Sequence, residues 1–378
     1  MTRRFWYHEI LMPKKSLNAF RRVHGRALRL WKREGTSKNL FILAGGIFVL
    51  TGIISALMTI PGSRFYDRGT QERIVPSTIS AASRHPLTGE ILSAPIVTLP
   101  QVFGVMVENS ADAWPLSGLD QAFLVIEAPV EGNIPRFIAF FSDDQDVLKI
   151  GPVRSSRPYY LDWNAEFQGI YGHVGGSPEA LDDIAKNGTL DLNQFFQSEY
   201  YYRDELTRYA PHNVYTNTNL LRASIAEIDE KYDVGVPSYD SWTFTDGVSE
   251  SSTIDTTHIV WGNGYDIDWT YDPATNVYHR FQGGNTYMAN NVVVIATDIG
   301  IIPGDDKGRR TVRTIGEGPM MLLKNGASIS GTWKKASAND RMQFYDETGK
   351  EVSMNAGRTW VEVINNLGNV LTLTKRSR

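Results

Sequence analysis

Residues 150–181, IGPVRSSRPYYLDWNAEFQGIYGHVGGSPEAL, decide the fold because they carry signals for a helix, a strand and a second helix in succession. A Gly-Pro turn opens the stretch, and Ser155 or Ser156 is expected to cap a helix that Pro158 starts at its first position. Residues 169–174 are short, apolar and bounded by glycines, which predicts a buried strand.

The second glycine-rich turn repeats this arrangement. Ser177 is the predicted N-cap, Pro178 occupies the first helical position, and Glu179 lies at the positive end of the helix dipole. Arg154 and Arg157 flank the first helix start. Free backbone N–H groups together with guanidinium groups predict an anion-binding site here.

Apolar segments on the N-terminal side of this stretch predict a sheet. Residues 102–107, 123–126 and 136–141 are strand candidates without clear polar alternation, which is typical of strands buried on both faces. Together with the helices they predict an α/β domain over residues 100–234, closed by an amphipathic helix over residues 220–231.

Several ionisable side chains follow the ends of these strands. Glu108, Glu127, Asp143 and His173 would meet at one edge of the sheet if all the strands run parallel. In open α/β sheets ligands bind at the carboxyl ends of the strands, so this edge is the expected site.

The regions on either side of this domain have a different composition. Residues 253–378 predict a β-rich C-terminal domain, because apolar strand candidates alternate with marked turns, among which Asn325-Gly326 is a strong hairpin signal. Pro, Ser, Thr and Gly recur within residues 61–99, which predicts a linker.

Residues 40–60, LFILAGGIFVLTGIISALMTI, contain no charge and are long enough to span a bilayer as a transmembrane helix. Residues 1–40 carry a net charge of +9 and the remainder −13, within a total of −4. By the positive-inside rule, a single-pass protein of the cell membrane is predicted, with the basic tail 1–39 cytoplasmic and the later domains extracytoplasmic. A cleaved signal peptide is the alternative, but its charged region would be unusually long.

The tail also predicts the membrane as a partner. Apolar side chains between Leu17 and Trp31 fall on one side of a helix and basic ones on most of the rest, as in helices that lie on an anionic leaflet. Nucleic-acid binding is the alternative, but the neighbouring span disfavours it, and no nucleic acid is expected as a partner. The chain has no cysteine, which excludes disulfides, a thiol nucleophile and attachment of lipid through cysteine.

Several long motifs resemble one known family. They are GVMVENS (104–110), SGLDQA (117–122), EAPVEG (127–132), IGPVRSSRPYYLD (150–162), HVGGSPEAL (173–181), APHNVY (210–215) and GRTWVEVI (357–364). In these motifs the chain is similar to the bacterial YerB-type lipoprotein family. The resemblance implies a two-domain protein of the cell envelope and brings no established reaction with it.

One functional hypothesis is an envelope hydrolase. Glu127 and Glu131 could form an acid/base pair, with His173 as a further catalytic residue, since two carboxylates in unlike environments can divide these roles. The alternative is that both carboxylates bind backbone N–H groups or Arg136, because structural ion pairs are also common at such positions.

A metal site would need a third ligand besides His173 and His212, with Asp143 or Glu127 as candidates. No zinc-type spacing of histidines is present. The sequence therefore predicts neither a metal nor another cofactor.

A second hypothesis is binding of an anionic ligand by arginines, since arginine is enriched at carboxylate and phosphate sites. The candidate ligand-binding residues are Arg136, Arg154, Arg157, Ser177, Arg203, Arg208 and His212. A wall glycan, a peptide carboxylate or a phosphate polymer would suit them. A third hypothesis is a scaffold that contacts proteins through the β-rich domain.

Overall fold

The computed structural model describes residues 83–247 and 253–374, which belong to one compact unit, Ile79–Arg378. The helices are α1 (Pro158–Ala165), α2 (Pro178–Lys186) and α3 (Thr218–Tyr232). The strands of the first part are β1 (Val102–Val107), β2 (Leu124–Pro129), β3 (Pro135–Ser142), β4 (Ile170–His173), β5 (Leu190–Asn193), β6 (Tyr202–Arg203), β7 (Val214–Tyr215) and β8 (Phe244–Thr245). The strands of the second part are β9 (Ile254–Ile259), β10 (Ile267–Asp272), β11 (Val277–Gln282), β12 (Asn285–Ala289), β13 (Asn291–Ala296), β14 (Ile299–Ile301), β15 (Arg310–Val312), β16 (Gly316–Lys324), β17 (Ala327–Lys335), β18 (Gln343–Asp346), β19 (Met354–Asn355), β20 (Thr359–Ile364) and β21 (Val370–Thr374).

Two sheets organise these strands. The larger has ten strands in the order β18-β17-β16-β13-β20-β2-β3-β1-β4-β5, and the smaller has five in the order β12-β11-β10-β9-β21. Strand β20 pairs in parallel with both β13 and β2. The α/β range and the β-rich range of the sequence therefore contribute to one continuous sheet.

The predicted character of the two ranges is confirmed. The three helices lie in the first range, and the second contains strands and one short 3₁₀ turn within the described residues. The boundaries 100–234 and 253–378 stay a prediction, because the large sheet runs across them.

The core lies on both faces of the large sheet. Tyr160 and Trp163 of α1 pack on one face, whereas Leu221 of α3 packs on the other, which the small sheet also covers. There Trp360 makes edge contacts with Trp269 and Phe137, with ring centroids 5.5 Å apart in each pair. Coverage on both faces explains why the central strands read as continuous apolar runs.

The helix starts follow the sequence signals in part. Ser177 caps α2 by accepting a hydrogen bond from the Ala180 backbone N–H at 3.2 Å, as predicted. The cap of α1 is the extended residue Arg157, not Ser155 or Ser156, and its side chain makes no capping bond.

The strand directions correct the expectation of one parallel set. Strand β3 runs antiparallel to β1 and β2, and the short connection from β2 to β3 favours this direction. Asp143 consequently lies at the opposite edge from Glu108, where its carboxylate accepts from the Gln101 backbone N–H at 3.1 Å. Strand β2 is also longer than predicted, so Glu127 lies inside it.

The hairpin at Asn325-Gly326 is confirmed. Lys324 pairs with Ala327 across this two-residue turn, and both turn residues have positive φ, 54° and 69°. Asn and Gly adopt this left-handed conformation more readily than other residues. Strand β12 was missed by sequence reasoning, although its Gly283-Gly284 turn was marked.

Within residues 83–247 and 253–374, every helix is too short or too polar to cross a membrane. The predicted span 40–60 and the basic tail lie outside the described residues.

Candidate functional site

The candidate site lies at the carboxyl edge of the large sheet, defined here as the edge formed by the C-terminal ends of β1, β2 and β4 and the start of β3. Residues 150–154 run beside the end of β1, because Glu108 N–H donates to Pro152 O at 2.9 Å and Arg154 N–H to Met106 O at 2.9 Å. Gly151 makes this path possible. Its φ is +137°, and a Cβ there would lie 2.8 Å from the Val153 backbone nitrogen.

Three arginines meet at this edge and are called the arginine cluster: Arg136, Arg154 and Arg157. Arg157 donates from Nε and Nη2 to both carboxylate oxygens of Glu131, each at 2.7 Å. Arg154 Nε lies 3.0 Å from Glu108 Oε1. Sequence reasoning placed Arg154 and Arg157 at a helix start, and the structure adds that both are paired with carboxylates.

Arg136 differs from its neighbours. It is only 9% exposed, and its Nη1 donates to Ser155 O at 2.8 Å. No carboxylate of the described residues forms an ion pair with it. Burial lowers the pKa of Arg136, and the positive charges of Arg157 and Arg154 lower it further. Among the described residues, this buried guanidinium is thus left without a carboxylate at ion-pair distance.

Glu131 is committed to the arginine cluster. Partial burial works to raise its pKa, but the two hydrogen bonds and the charge of Arg157 outweigh this, so the pKa of Glu131 is lowered. Arg309 lies on the same carboxylate, with Nε 3.9 Å from Oε1. An anionic carboxylate held in this way suits an ion pair better than a general acid.

A groove of about 760 Å³ has His212 in its wall, and Glu108 contacts both His212 and Arg154 of the cluster. Its lining residues, called the groove below, are Asp112, Trp114, Pro115, Ser117, Lys149, Thr207, Arg208, Tyr209, His212 and Tyr215. Cationic and aromatic side chains share this surface. Such a combination suits an anionic ligand with flat or cyclic parts.

The cations of the groove are held by local bonds. Lys149 Nζ lies 2.7 Å from Asp204 Oδ2 and 4.2 Å above the Tyr215 ring centroid. Arg208 donates to the backbone oxygens of Asp112 at 3.2 Å and Pro115 at 2.8 Å. These bonds join the loop after β1 to the loop before β7. Lys149 was missed by sequence reasoning, and only its position directly before the IGPVR motif points to it.

His212 connects the groove to the arginine cluster. Its Nδ1 lies 2.9 Å from Oε2 of the buried Glu108, whose Oε1 accepts from Ser110 Oγ at 2.8 Å and faces Arg154. Arg203 is the last residue of β6, and its Nη1 donates to Asn213 Oδ1 at 2.8 Å, at the end of the loop that carries His212.

Glu127 lies elsewhere, in the core between the two sheets. It is fully buried, its Oε2 accepts from Arg280 Nη2 at 2.6 Å, and its Oε1 accepts from Asn109 Nδ2 at 3.1 Å. Its carboxyl partner is Glu362, not Glu131. Sequence reasoning missed Arg280 and Glu362, because a charged residue inside a strand pattern normally faces water.

The buried carboxyls share one cation. Burial raises the pKa of Glu127 against the opposing effect of Arg280. Burial and the neighbouring Glu127 charge raise the pKa of Glu362 well above its ordinary value. One proton on Glu362 and one ion pair between Glu127 and Arg280 balance the charge of this cluster.

His173 and Ser177 are also enclosed. The ring nitrogens of His173 contact Gly175 O and Asp191 Oδ1, each at 2.7 Å, and its ring is not exposed. Ser177 is used as a helix cap. The structure therefore does not bring His173 together with Glu127 and Glu131 as a hydrolase would require. Within the two described ranges, no group of three His, Asp or Glu side chains could hold a metal ion.

Comparisons with known proteins agree on one family. Residues 87–231 match the N-terminal domain and residues 256–361 the C-terminal domain of the family described as "Protein of unknown function (DUF3048)". The chain is 27% identical over 308 residues to "Putative lipoprotein YerB" of Bacillus subtilis, which covers 79% of this chain and 90% of that protein. The crystal structure of the Bacillus subtilis YerB protein has a TM-score of 0.67 at 26% identity and covers 77% of this chain and 99% of that one.

Proposed function

Because the chain belongs to the DUF3048 family and is similar to YerB, we propose that it is a membrane-anchored, extracytoplasmic protein that binds an anionic ligand of the cell envelope. The relative is described as a lipoprotein. This chain has no cysteine to carry a lipid, and the apolar residues 40–60 would take the place of that anchor.

The observation that carries the binding proposal is the charge of Arg136. Arginine stays protonated in proteins, and a buried charge is costly unless it is paired. Glu108 and Glu131 already pair with Arg154 and Arg157. A bound carboxylate or phosphate beside Arg136 would supply the missing counter-ion and accept charge-assisted hydrogen bonds.

The groove would extend the proposed anion-binding site at Arg136. Lys149, Arg208 and His212 line it together with Trp114 and Tyr209, and Tyr209 is 90% exposed. A chain-like anion such as a wall glycan, a peptide carboxylate or a phosphate polymer could place one charge at Arg136 and further parts along these side chains. Ser177 and Arg203 support the surrounding loops in this proposal.

Thermal unfolding of the full chain in detergent tests the proposed anion-binding site at Arg136. Inorganic phosphate, and acetate in a second series, are added at constant ionic strength. A ligand at a hundred times its Kd stabilises the folded state by about 2.7 kcal/mol, so the melting temperature of the wild type should rise. Arg136→Gln should abolish this rise. Phosphate and acetate distinguish a phosphate polymer from a carboxylate ligand.

The matched control is Arg222→Gln. Arg222 pairs with Asp146 at 2.6 Å and donates to Asp143 O at the opposite edge of the sheet, so this variant should keep the full response to the anion. An equal rise of the melting temperature in Arg136→Gln, or no rise in the wild type with either anion, would refute the proposed anion-binding site. Sedimentation with purified cell walls then asks whether the same variant loses envelope binding.

A further inference from the structure

The ring of His212 is held at one nitrogen and open at the other. Glu108, only 3% exposed, contacts Nδ1 at 2.9 Å. A carboxylate at this position accepts the proton of Nδ1, which leaves the lone pair on Nε2. No hydrogen bond to Nε2 is formed within residues 83–247 and 253–374, and the side chain lines the groove.

The open Nε2 distinguishes His212 from a histidine that serves packing alone. Both ring nitrogens of the fully enclosed His173 have partners, Gly175 O and Asp191 Oδ1. Two cations, Lys149 and Arg208, line the same groove as His212. A base held by a buried carboxylate, next to positive charge, is the arrangement that activates water against a carbonyl group.

We propose that His212 is a general base that hydrolyses a carboxylic ester carried by the anionic ligand of the groove, with Glu108 as its positioning residue. The inference rests on the proposed function for the anionic class of the substrate. Arg208 and Lys149 bind and stabilise the negative oxygen that develops on the ester carbonyl.

The reaction uses water and no other co-reactant. His212 Nε2 takes one proton from water as the water oxygen bonds to the ester carbonyl carbon. The bond from that carbon to the alcohol oxygen then breaks, and the proton on Nε2 passes to the departing oxygen. The products are a carboxylic acid and an alcohol, and His212 returns to its starting form.

An ester fits this site better than a glycosidic bond. Hydrolysis of glycosides generally uses two carboxyl groups at the scissile bond, and Asp112 is the one acidic residue among those that line the groove. An ester needs only a base and stabilisation of one oxyanion.

The test uses the full chain in detergent with two chromogenic esters, the anionic 4-acetoxy-3-nitrobenzoate and the neutral p-nitrophenyl acetate. The wild type should hydrolyse the anionic ester with the higher kcat/KM. His212→Ala should lower kcat by roughly 100-fold or more, the usual contribution of a general base. Added imidazole should restore part of the activity, which it would not do for a residue that only supports the fold.

Glu108→Gln should lower kcat with little change in KM, because the positioning residue orients the base without touching the substrate. The control is His258→Ala. His258 Nδ1 makes a similar contact with Asp268, at 2.8 Å, but on the outer face of the small sheet, so its loss should leave hydrolysis unchanged. Equal rates in wild type and His212→Ala would overturn the inference. If the wild type binds phosphate or acetate but hydrolyses neither ester, the inference fails while the proposed binding function stands.

Discussion

Glu127 on β2 and Glu362 on β20 are direct register partners in a parallel pair of strands, although the two residues come from opposite halves of the chain. Both side chains are fully buried, and Arg280 contacts both, at 2.6 Å from Glu127 Oε2 and 3.7 Å from Glu362 Oε1. Trp269 Nε1 also donates to Glu362 Oε1 at 3.0 Å. This cluster ties the two family domains together at the centre of the large sheet.

The first prediction concerns this cluster. Arg280→Ala should lower the free energy of unfolding by about 3–5 kcal/mol, because it leaves a buried carboxylate without its cation. Glu362→Gln should change it by less than about 1.5 kcal/mol near pH 5, because the amide resembles the protonated carboxyl in shape. Urea unfolding of both variants measures the difference, and equal losses would contradict the assignment of the proton to Glu362.

The pH dependence of the same pair has a definite sign. The pKa of Glu362 is raised well above 4.5 in the folded state, so its stabilising contribution is present below the unfolded value and is lost as pH rises toward the folded value. Relative to wild type, Glu362→Gln should therefore gain stability as pH increases from about 4.5. Unfolding curves across this range check the slope, and a constant difference between the two proteins would exclude a raised pKa.

The arginine cluster predicts different effects on stability for two similar substitutions. Arg157→Gln should lower the free energy of unfolding by about 1 kcal/mol, reduced from a fully buried pair because solvent reaches Glu131. The lowered pKa of Glu131 implies that this contribution is present above pH 4.5 and is lost as pH falls through the folded pKa. Arg136→Gln should not destabilise the protein, since it removes a buried charge that forms no ion pair with a carboxylate of the described residues. A large fall in the melting temperature of Arg136→Gln would mean that this arginine supports the fold.

The contact between Trp114 and Gly283 predicts a steric effect on the groove. Gly283 has φ +54°, and a Cβ there would lie 2.0 Å from the Trp114 ring. Gly283→Ala should displace this ring from the groove wall and cost about 1–3 kcal/mol, as is usual for overpacking. Tryptophan fluorescence reports the displacement. Gly284→Ala is the control, because no atom lies within 4 Å of its added Cβ, although its φ of +80° carries some backbone strain.

The last prediction concerns topology. Residues 62–378 should lie outside the cytoplasmic membrane and residues 1–39 inside, because the basic residues precede the apolar segment. Protease added to intact spheroplasts should remove the C-terminal mass and leave the tail protected. Protection of the whole chain would refute this orientation.

Local signals in the sequence determined much of the secondary structure. The Ser177 cap, the Pro158 helix start and the Asn325-Gly326 hairpin follow from the conformations that these residues favour within a few positions of themselves. The apolar runs of β1 and β3 likewise follow from burial on both faces, and the motifs were sufficient to predict the family.

Only the tertiary structure decided which charges are paired. Glu127 and Arg280 are 153 positions apart, and Glu108 and His212 are 104 apart. Strand periodicity indicates which face a side chain occupies, but it carries no information about which strand lies opposite. Arg136 forms no ion pair within the described residues because Glu108 and Glu131 pair with Arg154 and Arg157. The groove depends on the docking of loops that are distant in the chain. For this reason the sequence located the arginines and His212, whereas the ion pairs, the burial of Arg136 and the contact of His212 with Glu108 followed from packing alone.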